Sequence, residues 1–189
     1  MPILSQTAHH RRTSLSAATI LGAWLWAGCA SSAPQIPSHL DAAEGYSLSF
    51  PAPIETRAGR DGRATFRIDH AVTSDGARFE AAWFGFPEAI GADEQAALLS
   101  QVERALGGAD SKVISREGGT FEGRESVDLV VEDRDGRRGF YRVLYPTSKS
   151  MLQVSAVGPR GGPWEREVSE LWASLRFEGK AVTVSRAPP

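Results

Sequence analysis

Cys29, His70 and a knot of acids at Glu132, Asp133 and Asp135 are the residues of this chain whose types could do chemistry. Cys29 is the sole cysteine, so no intramolecular disulfide and no cysteine-based metal cage can form. His70 is the only histidine beyond the first 44 residues. A Ser-His-Asp or Cys-His relay, or a multi-histidine metal site, would rest on it alone. It reads instead as a strand-end residue hydrogen-bonded to a neighbour or to water. The acids beside Gly136 offer oxygen ligands, but a calcium loop of the EF-hand kind needs a glutamate at its twelfth position. Counting from Asp133, that place holds Leu144, and the cluster reads as a hairpin turn. Asp128 and Glu132 fall on alternate strand positions, a pattern for a solvated face rather than an acid–base pair. No Gly-x-Ser-x-Gly elbow, Walker loop or His-Glu-x-x-His motif occurs. The residues thus predict no catalytic machinery, no metal and no cofactor.

The glycine-rich stretch Gly158-Pro159-Arg160-Gly161-Gly162-Pro163 leads into a helical pattern, where anions can bind at the first free N–H groups. Pro163 removes one of those groups, so the stretch is expected to be a flexible, exposed connection. Arg160 at its tip is the candidate contact for a partner, able to grip a carboxylate or phosphate with two N–H groups.

Charge narrows the partners further. The formal charge is −2, and residues 1–28 hold Arg11 and Arg12 but no acid, so the remainder stands at −4. A mildly acidic domain lacks the basic face that nucleic acid demands.

The first thirty residues have the three-part pattern of an export signal. His9, His10, Arg11 and Arg12 form a basic start, and Leu15 to Ala27 is an apolar run of 13 residues. That is short of the ~20 a membrane-spanning helix requires. Ala27-Gly28-Cys29 at its end resembles the lipobox of bacterial lipoproteins, with Trp26 standing where leucine is usual. The resemblance implies lipid attachment at Cys29, removal of the residues before it, and a membrane anchor. Ala30 in place of aspartate implies the outer membrane, with the domain on its periplasmic side. Arg11-Arg12-Thr13-Ser14-Leu15 is similar to a twin-arginine signal, but Ser14 departs from the usual phenylalanine, which favours ordinary export.

The elements beyond follow from periodicity. Residues 29–44, rich in serine and proline at the start, read as a polar tether. Tyr46 to Phe50 alternates with period two and stops at Pro51, as an edge strand does. Further strands are expected at Ala64 to Ile68, Arg78 to Phe86, Lys112 to Arg116, Arg124 to Glu132, Arg137 to Tyr145 and Met151 to Val157. The far end of the third is apolar on both faces, as in a sheet covered on both sides. A helix spans Ala92 to Leu106, with Asp93 at its start and Gly107-Gly108 after it. A second runs from Pro163 to Leu175, proline suiting its first turn. Asp-Gly pairs at 61–62, 75–76 and 135–136 suit tight hairpins, so the sheet is expected to be antiparallel. The expected core comprises Phe66, Ile68, Trp83, Leu98, Val102, Val143, Leu171 and Trp172.

Gly-Tyr-Ser-Leu-Ser-Phe-Pro-Ala-Pro at 45–53 resembles the opening strand of PsbP/Mog-like domains, and Leu171-Trp172-Ala173-Ser174-Leu175-Arg176-Phe177 is similar to their closing helix. The resemblance implies an α+β fold, a mainly antiparallel sheet with helices packed on its faces (an α/β/α sandwich). It transfers no catalytic residues. The domain organisation expected is a signal at 1–28, a tether at 29–44, the folded domain at 45–179 and a tail at 180–189. Two functions fit: a monomeric, lipid-anchored envelope module that binds another envelope protein, or a small-ligand binder with a pocket between sheet and helix floored by Trp83 and Phe84.

Overall fold

The computed structural model describes residues 38–108 and 110–178. Cys29, the signal and the tail at 180–189 lie outside them. Seven strands form one antiparallel sheet: β3 (Glu55–Asp61), β4 (Ala64–Val72), β5 (Arg78–Gly85), β6 (Ser111–Phe121), β7 (Arg124–Asp133), β8 (Arg137–Thr147) and β9 (Ser150–Pro159). Their order across the sheet is β3-β4-β5-β9-β8-β7-β6. Three more strands, β1 (Ser38–Ala42), β2 (Tyr46–Phe50) and β10 (Arg176–Phe177), make a small second sheet in the order β1-β2-β10.

Hairpins account for most of this topology. Gly62, Gly76 and Gly136 turn at φ of 57°, 79° and 75°, which an L side chain adopts only at a cost. Each of the three Asp-Gly pairs therefore sits in the reversal its sequence suggested. A fourth reversal had no such signal. Glu122-Gly123 joins β6 to β7 with both residues at positive φ, 48° and 76°.

The two helices lie on opposite faces of the long sheet. α2 (Trp164–Ser174) buries Trp164, Val168 and Leu171, spaced so that one helical stripe faces inward. With Tyr46, Leu48 and Phe50 of β2 they pack on Phe79, Leu144, Leu152, Val154 and Ala156 of the sheet. α1 (Ala92–Leu106) lays Val102, Leu99 and Leu106 over Val143, Met151 and Phe84. Successive strand residues point to opposite faces, which is why Val143 and Leu144 belong to different cores. β9 in the middle is buried from Ser150 to Ala156. An α+β fold with a mainly antiparallel sheet is thus present, but one face is shared between α2 and a second sheet rather than covered by helix alone.

Several expectations need correction. Residues 38–42, assigned to the tether, form β1 and pair with β2 from Ser38↔Phe50 to Ala42↔Tyr46. β3 has no apolar alternation, being exposed along almost its whole length, and only its pairing with β4 makes it a strand. Its charges suit a sheet edge that must not recruit another strand. β6 continues through Gly118 and Gly119 to Phe121, because ten-residue β7 offers it a full ladder. α1 spans Ala92–Leu106 as expected, but its cap is Gly91 rather than Asp93; the Gly91 N–H donates to Glu94 Oε2 at 3.0 Å. Of the expected core, Val102, Val143 and Leu171 are buried, whereas Phe66, Ile68, Trp83, Leu98 and Trp172 are half-buried. The largest buried side chains are instead Trp164, Tyr46, Phe50 and Phe79.

Candidate functional site

Arg160 lies on the surface, its side chain 62% exposed, and its Nη1 stands 2.9 Å from Glu132 Oε1. The loop around it is tied down. The Trp164 indole N–H donates to Pro159 O at 2.7 Å, and the Gly161 N–H donates to Glu165 Oε1 at 2.7 Å. Gly158 itself is buried, and a side chain there would strike Trp164.

The acids singled out by sequence are distributed between a turn and ion pairs. Asp133 Oδ1 accepts the N–H groups of Asp135 at 3.0 Å and Arg137 at 2.8 Å, closing the β7–β8 hairpin. Glu132 faces Arg138 at 3.8 Å as well as Arg160. Asp128 receives two N–H groups of Arg142, at 2.8 and 2.7 Å. His70 sits within β4 rather than at its end, with Nε2 3.4 Å from Glu55 Oε2 across the strand pair. A second histidine, His39, belongs to the domain through β1 and shares a hydrogen bond of 3.0 Å with Ser49 Oγ. Among the described residues no three His, Cys, Asp or Glu side chains gather as metal ligands. No described helix is long and apolar enough to cross a membrane.

Sequence reasoning missed a buried polar cluster. Asp69 is wholly buried, and its carboxylate accepts Arg67 Nε at 2.8 Å and Nη2 at 3.1 Å. Thr56 Oγ1 donates to it at 2.5 Å and the Tyr46 hydroxyl at 3.3 Å. Burial, reinforced by the Asp69 charge, pushes the Tyr46 hydroxyl well above the usual tyrosine range. The hydrogen bonds to Asp69 likewise raise Arg67. Arg67 and Asp69 two residues apart look in sequence like any exposed strand pair. Only the cover supplied by β2, which carries Tyr46, distinguishes them.

The expected pocket divides in two. Between sheet and helix, a hollow of about 180 Å³ opens beside Asp128, Phe140 and Trp172, less than the ~300 Å³ usual for a ligand site. A larger one, about 510 Å³, lies at the rim of the long sheet and includes Trp83 but not Phe84. These neighbours cannot share a floor, because Trp83 packs with the core under α2 and Phe84 with the core under α1.

No protein-family model matches the sequence, and no curated protein matches it. Its structure is similar to the solution structure of cyanobacterial PsbP (CyanoP) from Synechocystis sp. PCC 6803. The TM-score is 0.54 at 10% identity, over 81% of this chain and 98% of that one. At this identity the likeness is one of fold, and the fold of this chain is PsbP-like.

Proposed function

We propose that this chain is a non-catalytic accessory module of a bacterial envelope, anchored by lipid at Cys29 and working by binding another envelope protein. A fold alone does not define function, so the side chains carry the reading. Asp128, Glu132 and Asp133, the acids that could have formed a site, are all committed to arginines or to a turn. A general acid or base needs a proton path to a substrate, and these groups spend their lone pairs on their own chain. The PsbP-like fold supports the same reading.

Arg160 is the contact we assign to the partner. Its pair with Glu132 is exposed on the arginine side, and such surface pairs are worth ~0–1 kcal/mol. A partner carboxylate can therefore replace Glu132 at little cost. The anchor follows from the lipobox-like residues before Cys29, two or three acyl chains being enough to hold a protein at a membrane. Ala30 rather than aspartate after the cysteine favours the outer membrane, with the domain on its periplasmic side.

Metabolic labelling with a fatty acid, combined with cross-linking and capture from solubilised envelopes, tests both halves. Wild type is expected to carry label and to retain a partner. Cys29→Ser should lose the label, and Arg160→Ala should lose most of the partner. Undiminished label in Cys29→Ser would overturn the anchor. Equal capture by wild type, Arg160→Ala and an unrelated lipoprotein would overturn the binding role.

A further inference from the structure

The hollow at the rim of the long sheet has a built floor. One cross-strand row runs Arg60↔Thr65, Thr65↔Gly85, Gly85↔Ser150 and Ser150↔Thr147. The next row inward pairs Arg67 with Trp83 and Trp83 with Leu152. Residues two apart on a strand share a face, so the half-buried Trp83 stands directly beside that floor. Gly85 leaves a gap in the row, and the indole leans into it: a Cβ at Gly85 would collide with the six-membered ring of Trp83. The result is an aromatic wall next to hydroxyls, in a space of about 510 Å³, within the ~300–1,000 Å³ range of small-molecule sites.

Charge supplies the second observation. Arg60, Arg63 and Lys149 line this space against a single acid, Glu44. Glu44 Oε2 lies 3.8 Å from Arg67 Nη1, with no hydrogen-bond partner among the described residues. Lys149 Nζ donates to a carbonyl, Pro87 O, at 3.2 Å. Arg67, Arg78, Arg116, Arg138, Arg142 and Arg160 each have a carboxylate within 4.0 Å. Arg60 and Arg63 have no carboxylate partner among the described residues. Two guanidinium groups with no carboxylate partner among the described residues line one space with an ammonium and an indole, which makes an anion site with a face for a flat ring.

We propose that this hollow binds a small soluble organic anion, a planar ring bearing a phosphate or a carboxylate. The ring lies against Trp83, and Arg60, Arg63 and Lys149 hold the anion. Along the floor the Thr65 hydroxyl donates to Gly85 O, and the Thr147 and Ser150 hydroxyls bond each other at 2.8 Å. A soluble ligand is favoured over a lipid headgroup by position. The chain arrives at Ser38, and the hollow lies past the other end of β1 at Glu44, a strand length of ~17 Å away. That last point alone rests on the lipid-anchor reading.

Full-length protein in neutral detergent, titrated calorimetrically, decides the matter. The probes are adenosine monophosphate, indole-3-carboxylate, adenosine, inorganic phosphate and dihexanoylphosphatidylglycerol. At least one of the two ring anions is expected to saturate a single site. Adenosine, phosphate and the short-chain lipid should each bind it about tenfold more weakly or worse, because each lacks one half of the recognition. Arg60→Gln combined with Arg63→Gln should weaken the ring anion by about tenfold or more while melting like wild type, both residues being exposed. Should that variant melt lower, Lys149→Gln gives the same reading from an exposed hairpin. Failure of both ring anions to saturate at millimolar concentration overturns the proposal, as does equal affinity for adenosine and its monophosphate. Unchanged binding in a folded variant overturns it too. Tightest binding by the lipid overturns the soluble source. None of these outcomes depends on whether Cys29 is acylated.

Discussion

The guanidinium of Arg142 on β8 lies 4.7 Å from the ring centroid of Trp172 on α2, while its two N–H groups grip Asp128 on β7. Phe121 flanks the same guanidinium at 5.0 Å. One side chain thus joins the last helix to the β6–β7–β8 side of the sheet by charge and by stacking together. A guanidinium does this and an ammonium does not, since only the former is flat and forked. Arg142→Lys is expected to cost ~1–2 kcal/mol in urea denaturation and to change Trp172 fluorescence. A stability within error of wild type, with unchanged emission, would show that the stacking contributes nothing.

Asp69→Ala should be far more damaging. Its carboxylate is wholly buried and receives donors from Arg67, Thr56 and Tyr46. Breaking a fully buried pair costs ~3–5 kcal/mol; because Arg67 is 23% exposed and keeps Glu44 at 3.8 Å, the loss should fall at the lower end of that range. Thr56→Ala removes one donor and should cost ~1.5–3 kcal/mol, the range for a hydrogen bond to a charged group. Denaturant midpoints at constant slope check both values, and the order Asp69 before Thr56 is the essential point.

Leu171→Ala should cost ~2–5 kcal/mol, since its side chain is buried between α2 and the sheets. Leu98→Ala on half-buried ground in α1 should cost less than half as much. Equal losses at the two positions would mean that α1 covers its face of the sheet more fully than described.

Alkaline titration offers a separate check. Burial, with Glu80 and Asp133 nearby, pushes the Tyr141 hydroxyl up to about 12. Above the ordinary value of ~10 the unfolded chain releases this proton while the folded chain keeps it. The folded state then binds more protons, so stability is full below about pH 10 and declines as pH rises towards 12. Tyr46 and Tyr145, both raised chiefly by burial, add to the same slope. Tyr141→Phe should flatten the loss of unfolding free energy measured between about pH 9 and about pH 11. An unaltered slope would assign the alkaline loss to other groups.

The sequence alone carried the order of elements wherever a local signal existed. α1 ends at Leu106, just before Gly107 and Gly108, as its pattern indicated, and the Asp-Gly hairpins turn where positive φ is cheap. The lone cysteine after an apolar run is equally a property of the sequence, and it is the source of the anchor reading. Tertiary structure decided the rest. β1 and β3 have little apolar pattern and are strands only because β2 and β4 pair with them, a choice no local propensity encodes. Asp69 is a core residue because β2 and its sheet cover it, and an exposed aspartate would have the same neighbours in sequence. Arg60, Thr65, Gly85, Ser150 and Thr147 come from five strands and meet only through register. A one-residue slip in any of those pairings would send part of the row to the opposite face, so the rim hollow exists in the fold and nowhere in the sequence.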